Sequence, residues 1–214
     1  MVKRASLFSA LLAGMAILAS CGSNGEPAAE TSSGTITSPV IETIMARRSV
    51  RAYKPVPVSR DTMNVILECG INAPNAMNRQ NWEVRVVDNA ETIAGVTKSF
   101  LAVNPDMGKT PGFVNMFRNA PVVAFIAGNT ASDFSKIDCG LLGENMALAA
   151  RSLGIGTCFL GGPVMFIKSP EGSYFLDRLG FSEGYELIYA LAFGYPAESP
   201  EAKPRDISKV KFVD

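Results

Sequence analysis

Asp138 to Pro163 read DCGLLGENMALAARSLGIGTCFLGGP, a long amphipathic run that turns straight back into a short apolar one. Leu141, Leu142, Asn145, Met146, Ala149 and Leu153 recur at helical spacing, which predicts a helix from Asp138 to Leu153 stopped by Gly154. Ile155 to Leu160 then predicts a strand, broken by Gly161-Gly162-Pro163. Tyr185 to Phe193 is apolar on both parities, as expected of a central strand covered on both faces.

Working outward, Ser38-Pro39 reads as a helix cap with proline at the first position, and Val40, Ile41, Ile44 and Met45 share one stripe. A second helix follows Ser59, carrying Met63, Ile66, Leu67 and Ile71 until Pro74. A polar loop spans Asn75 to Asn81, and Trp82 to Val87 predicts a strand. Asp88 and Glu91 have the spacing of a capping box for a helix running towards Ala102. Residues 104–119, rich in Gly, Pro, Asn and Met, read as an irregular excursion with one helical turn. Pro121 to Ala127 predicts a strand, Gly172 to Leu179 a short helix, and Ile207 to Val213 a terminal strand. The strands are too few and too irregularly spaced for a doubly wound sheet, so the fold class is α+β, a small sheet sandwiched by helices.

The chain has 214 residues, equal numbers of basic and acidic side chains, and no histidine. That excludes Ser-His-Asp and Cys-His couples and any His-ligated metal. Cys69, Cys139 and Cys158 have no metal-motif spacing, and read as three small buried apolar residues. Lys3 and Arg4, an apolar run from Leu7 to Ala19, and Leu18-Ala19-Ser20-Cys21 read as a lipoprotein signal: residues 1–20 removed, Cys21 lipidated. Loss of 1–20 takes two cations and no carboxylate, leaving a slightly acidic chain with no footprint for nucleic acid. Residues 21–38 then form a flexible tether of roughly 20 Å, with the folded domain at 39–214. The expected location is extracytoplasmic, anchored to a membrane through the lipid.

Four stretches carry chemistry. Arg47-Arg48-Ser49-Val50-Arg51 offers guanidinium forks and a hydroxyl suited to a phosphate dianion. Pro74-Asn75-Ala76-Met77-Asn78-Arg79-Gln80-Asn81-Trp82 presents amides with both donors and acceptors. Leu153-Gly154-Ile155-Gly156 leads through a strand into Gly161-Gly162, where missing Cβ atoms let the backbone approach a flat ligand. Gly194-Tyr195-Pro196-Ala197-Glu198-Ser199-Pro200 runs on to Lys203-Pro204-Arg205, returning two cations. No Walker or Rossmann glycine pattern occurs.

In this order the four stretches resemble the FMN-dependent nitroreductase family: R-R-S-x-R, a loop of the type P-S-x-x-N-x-Q-P-W, a helix into L-G-x-G, and G-Y-P-x-E-x-P with K-x-R beyond it. The resemblance covers residues 40–205. Asn75 stands where serine is common, Asn81 where proline precedes the tryptophan, and Gly161 where some members place an acidic residue. The resemblance implies a homodimer whose C-terminal segment embraces the partner, with a small, mainly antiparallel sheet. It implies that Arg47, Arg48, Ser49 and Arg51 hold the FMN phosphate, ribityl chain and N1/C2 edge, with Lys203 and Arg205 completing the phosphate site. Leu160, Gly161 and Gly162 would line the flavin through their backbone, and Asn75, Asn78 and Gln80 would come from the partner. No side chain is expected to be catalytic, because a flavin carries its own electron sink.

The implied activity is reduction of small nitroaromatic or quinone-like acceptors in a ping-pong cycle, with NAD(P)H the usual donor. An exported protein would not meet soluble NAD(P)H, so a quinol or redox protein is the competing donor. A membrane-tethered flavin-binding electron carrier without turnover is the rival function. Residues 104–119, bearing Met107, Phe113, Met116 and Phe117, discriminate the two as a lid over a substrate pocket or a plain hydrophobic cover.

Overall fold

The computed structural model describes residues 36–214, of which Thr37–Asp214 form one unit; the signal peptide, Cys21 and nearly all of the tether lie outside the described residues. The helices are α1 (Pro39–Ala46), α2 (Arg60–Ile71), α3 (Ala90–Val103), α4 (Ser135–Ser152), α5 (Gly162–Ile167) and α6 (Ser173–Leu179). The strands are β1 (Trp82–Val87), β2 (Val122–Asn129), β3 (Gly156–Leu160) and β4 (Tyr185–Gly194), in the order β1-β2-β4-β3 and antiparallel at every pairing. The expected α+β architecture is therefore present.

Alternation in the two central strands builds a core on each face. Val123 and Phe125 of β2 join Ala190 and Ala192 of β4 under Phe117, Ile167 and Phe175. Val122, Ala124 and Ile126 join Leu191 and Phe193 beneath Ile66, Leu142 and Met146 of α2 and α4. This two-sided burial is why Tyr185 to Phe193 shows no polar parity. The close crossing of α2 and α4 depends on Gly70, where a Cβ would sit 2.5 Å from Met146 Cγ. The glycine, not Ile71, completes the buried stripe of α2, and Ile71 is exposed.

Several expectations change. The cap of α3 is Asn89, whose Oδ1 accepts from Thr92 N at 2.8 Å, because Asp88 is instead paired with Arg60. Leu141 on α4 and Leu153 at its C-cap are exposed, while Cys139, Ala147 and Ala150 of the helix are buried. Beyond the strand break, Gly161 stands at the N-cap and Gly162-Pro163 open the helix α5. Cys139 and Cys158 are buried free thiols, but Cys69 is exposed on α2. The terminal segment forms no strand: Asp206 caps a single 3-10 turn at Ile207–Lys209, and Phe212 and Val213 are almost fully exposed. Nor does α1 bury any residue; its apolar stripe is exposed at Val40, Ile41, Ile44 and Met45.

Candidate functional site

Ser38 and Pro39 start α1 as read from the sequence, with Ser38 Oγ accepting from Ile41 N. The helix stops at Arg47, the chain becomes extended, and residues 49–53 pass from the free side of β3 at Thr157 to the chain that leaves β4. Val50 N donates to Thr157 O at 2.9 Å, and Ser49 pairs with Thr157 in a parallel bridge. Tyr53 pairs with Pro196, Lys54 N donates to Tyr195 O and Ala197 N to Ala52 O. The buried Tyr53 hydroxyl donates to Val50 O at 2.7 Å, and burial pushes its pKa far up, helped by Cys158 and Glu198 and opposed by Arg51. Glu198 accepts the Arg51 backbone N–H. The basic segment is thus stitched between β3 and the chain leaving β4.

Residues of this segment line two cavities. One, of about 270 Å³, is lined by Arg47, Arg48, Thr157, Arg151, Glu198 and Ser199 among others. Arg47 Nε lies 3.4 Å from Glu144, and Arg48 Nη1 donates to Met45 O and Arg47 O at the end of α1. The second, of about 370 Å³, is mostly apolar. It is bounded by Arg51, Arg118, Cys158, Leu160, Gly161 and Gly162, with Phe100, Met107, Phe113 and Met116 supplying much of its apolar wall. A Cβ built on Gly161 or Gly162 meets nothing within 4 Å, so both glycines present bare backbone to open space. Burial raises the Cys158 thiol, against the lowering charges of Arg51, Arg118 and Arg47.

Residues 104–119 divide their roles. Met107, Phe113 and Met116 face the second cavity, whereas Phe117 is fully buried in the core against Phe125. Met116 N is held by the buried Thr97 hydroxyl.

The sequence profile of the Nitroreductase family matches residues 44–195. The chain belongs to that family. A nitroreductase of Bacteroides fragilis, solved with bound FMN, is 29% identical, covers 83% of this chain and all of its own, and superposes with a TM-score of 0.73. A nitroreductase of Desulfitobacterium hafniense with bound FMN is also 29% identical, with 84% and 100% covered and a TM-score of 0.74. The NADPH-flavin oxidoreductase of Vibrio harveyi is 26% identical over 172 residues, 77% of this chain and 69% of its own.

Of the residues singled out in this nitroreductase sequence, the structure gathers Arg47 and Arg48 at one cavity and Arg51, Leu160, Gly161 and Gly162 at the other. Ser49 lies between, on the bridge to Thr157. Lys203 and Arg205 are exposed beyond Pro200, where the tail leaves the first cavity; Arg205 Nη1 donates to Lys203 O at 3.0 Å. Asn75, Asn78 and Gln80 line neither cavity. Their loop sits at the start of α4, where Ala76 N donates to Asp138 Oδ1 and Gln80 N to Asn75 Oδ1. Sequence reading passed over Arg151, a last-turn cation of α4, and Arg118. An arginine inside the Met- and Phe-bearing excursion was the available signal for the second.

Proposed function

We propose that this chain is an FMN-dependent oxidoreductase that reduces small nitroaromatic or quinone-like acceptors, in half-reactions alternating with NAD(P)H or another donor. One observation carries the reading: a single pinned segment places Arg47 and Arg48 at one cavity of mixed polarity and Arg51 at a second, mostly apolar one. A ligand spanning both needs an anionic end and a flat apolar end with a polar edge, which is the chemistry of FMN. The open faces of Gly161 and Gly162 suit that flat end. Similarity to the FMN-bound nitroreductases of B. fragilis and D. hafniense supports the same reading.

Bound FMN would supply reversible storage of an electron pair. Arg47, Arg48 and Ser49 would hold its phosphate and ribityl chain, and Lys203 and Arg205 would close on the phosphate from the tail. Arg51 would place positive charge beside the N1/C2 edge, a preorganised electrostatic contribution rather than a proton transfer. Leu160, Gly161 and Gly162 would exclude water from one side of the ring. The apolar wall formed by Met107, Phe113 and Met116 would seat an acceptor against the ring, which favours turnover over a carrier role.

The working unit in this reading is a homodimer, supported by the exposed apolar stripe of α1 and the exposed Phe212 and Val213. Asn75, Asn78 and Gln80 of each protomer would serve the other's flavin. The first residues would deliver the protein to an extracytoplasmic membrane face through lipid on Cys21, a reading that rests on the sequence of residues 1–21. Labelled palmitate should be incorporated into the wild type and not into Cys21→Ser; equal labelling rejects the anchor.

The purified protein should show flavin absorbance or acquire it on loading with FMN, and should bleach anaerobically on adding NADH, NADPH or a quinol. A protein that cannot be loaded rejects the function. Full flavin retention by an Arg47→Ala/Arg205→Ala double variant rejects the phosphate site.

A further inference from the structure

Arg118 is held in place at a conformational cost. Its φ is 60° and that of Asn119 is 58°, two successive non-glycine residues in the left-handed region that favours glycine. Asn115 stabilises the turn: its Oδ1 accepts from Phe117 N at 2.9 Å and from Asn119 N at 2.8 Å, while Arg118 N donates to Asn115 O. Phe117, fully buried, fixes the turn to the core. The half-buried side chain that this turn presents lines the apolar cavity. Among the described residues no carboxylate forms an ion pair with it, and its guanidinium donates no hydrogen bond. No acidic residue lines that cavity, whereas both Arg51 and Arg118 do.

A planar guanidinium at an apolar wall, uncompensated and braced by a strained turn, is suited to a carboxylate on a flat ligand. We propose that Arg118 is a specificity-determining residue that selects acceptors carrying an anionic group, aromatic carboxylates in particular. Their ring would occupy the space beside Phe113 and Met116, and the carboxylate would accept from Arg118. The inference rests on the oxidoreductase reading for its meaning but makes a binding claim that can fail separately.

The test compares 4-nitrobenzoate with its methyl ester, which keeps the ring and the nitro group but removes the charge. Binding to the full chain is measured by calorimetry, and anaerobic reoxidation of dithionite-reduced, flavin-loaded protein gives kcat/KM for each. The acid should be preferred by about tenfold or more, equivalent to about 1.4 kcal/mol. Arg118→Ala should collapse that ratio towards one, and Arg118→Lys should restore part of it. Equal binding of acid and ester by the wild type, or a ratio that survives Arg118→Ala, overturns the proposal. So does an Arg118→Ala variant whose flavin affinity or potential shifts while the ratio stands, because Arg118 would then belong to the flavin. If no flavin loads, the oxidoreductase reading fails, and the calorimetric ratio still decides the role of Arg118.

Discussion

Gly156 is where the proposed cofactor segment and the sheet come closest. A Cβ there would lie 2.9 Å from Val50 Cβ and Cγ2 and 3.1 Å from Pro196 Cγ. Neither neighbour can rotate away easily: Val50 is buried with its N–H bonded to Thr157 O, and Pro196 is fixed by its ring and its bridge to Tyr53. Gly156→Ala must therefore push residues 49–51 off β3 by a few tenths of an ångström. Overpacking of this kind costs about 1–3 kcal/mol, which lowers the melting temperature by roughly 2–4 °C per kcal/mol in a domain of this size. Because Arg51 rides on the displaced segment and Arg47 and Arg48 lead directly into it, FMN should bind about tenfold more weakly, or about 1.4 kcal/mol. Thermal melting of the flavin-free protein and quenching of FMN fluorescence measure the two effects. Gly161→Ala is the control, since its added methyl meets nothing in the protein. It should leave melting within the small range of a surface change, about 0.5 kcal/mol, yet still weaken FMN by intruding into the cavity. A Gly156→Ala variant with wild-type melting and wild-type affinity would refute the reasoning.

Other outcomes follow from single contacts. Tyr53→Phe removes the buried hydroxyl donated to Val50 O and should cost about 1–3 kcal/mol by urea unfolding. Arg85→Ala should destabilise by a similar, charge-assisted amount of about 1.5–3 kcal/mol. Arg85 donates to Leu179 O and Gly180 O at the end of α6, pairs with Glu83 and stacks on Phe181. Exposed Cys69 should react with iodoacetamide in the native protein at pH 8 while Cys139 does not, checked by peptide mass spectrometry. Burial, with Asp138 beside it, raises the Cys139 thiol to about 11. Its folded value thus lies above its ordinary one. This thiol's contribution to stability is fully present below pH 9.0 and is lost as pH climbs from there through about 11, a decline that Cys139→Ala should lessen in unfolding curves.

The elements most readable from sequence were those whose signal is local. Ser38, Ser59 and Gly154 fix helix ends by their own chemistry, and Val122 to Ala127 and Tyr185 to Phe193 are apolar enough to be strands in any context. What escaped depends on distant partners. Asp88 has the right spacing for a cap, but Arg60, far away in the chain, takes its carboxylate. Gly70 becomes a core position only because Met146 crosses there. The tail's apolar residues suggested a strand, yet a ladder needs a partner and Asp206 turns the chain instead. At the site, the Arg47–Arg51 segment and the glycine pair were visible as motifs. Arg118 was not, because its importance lies in a left-handed turn braced by Asn115, which no spacing rule announces.

The strip from Ser49 to Tyr53 has a second consequence. β3 lies at one border of the sheet, and that strip covers its outer side at Thr157 through the Ser49–Thr157 bridge and the Val50 bond. Bare strand borders invite sticking between molecules. The strip that carries Arg51 therefore also shields part of this border from another molecule, and whatever steadies Arg51 steadies that shield.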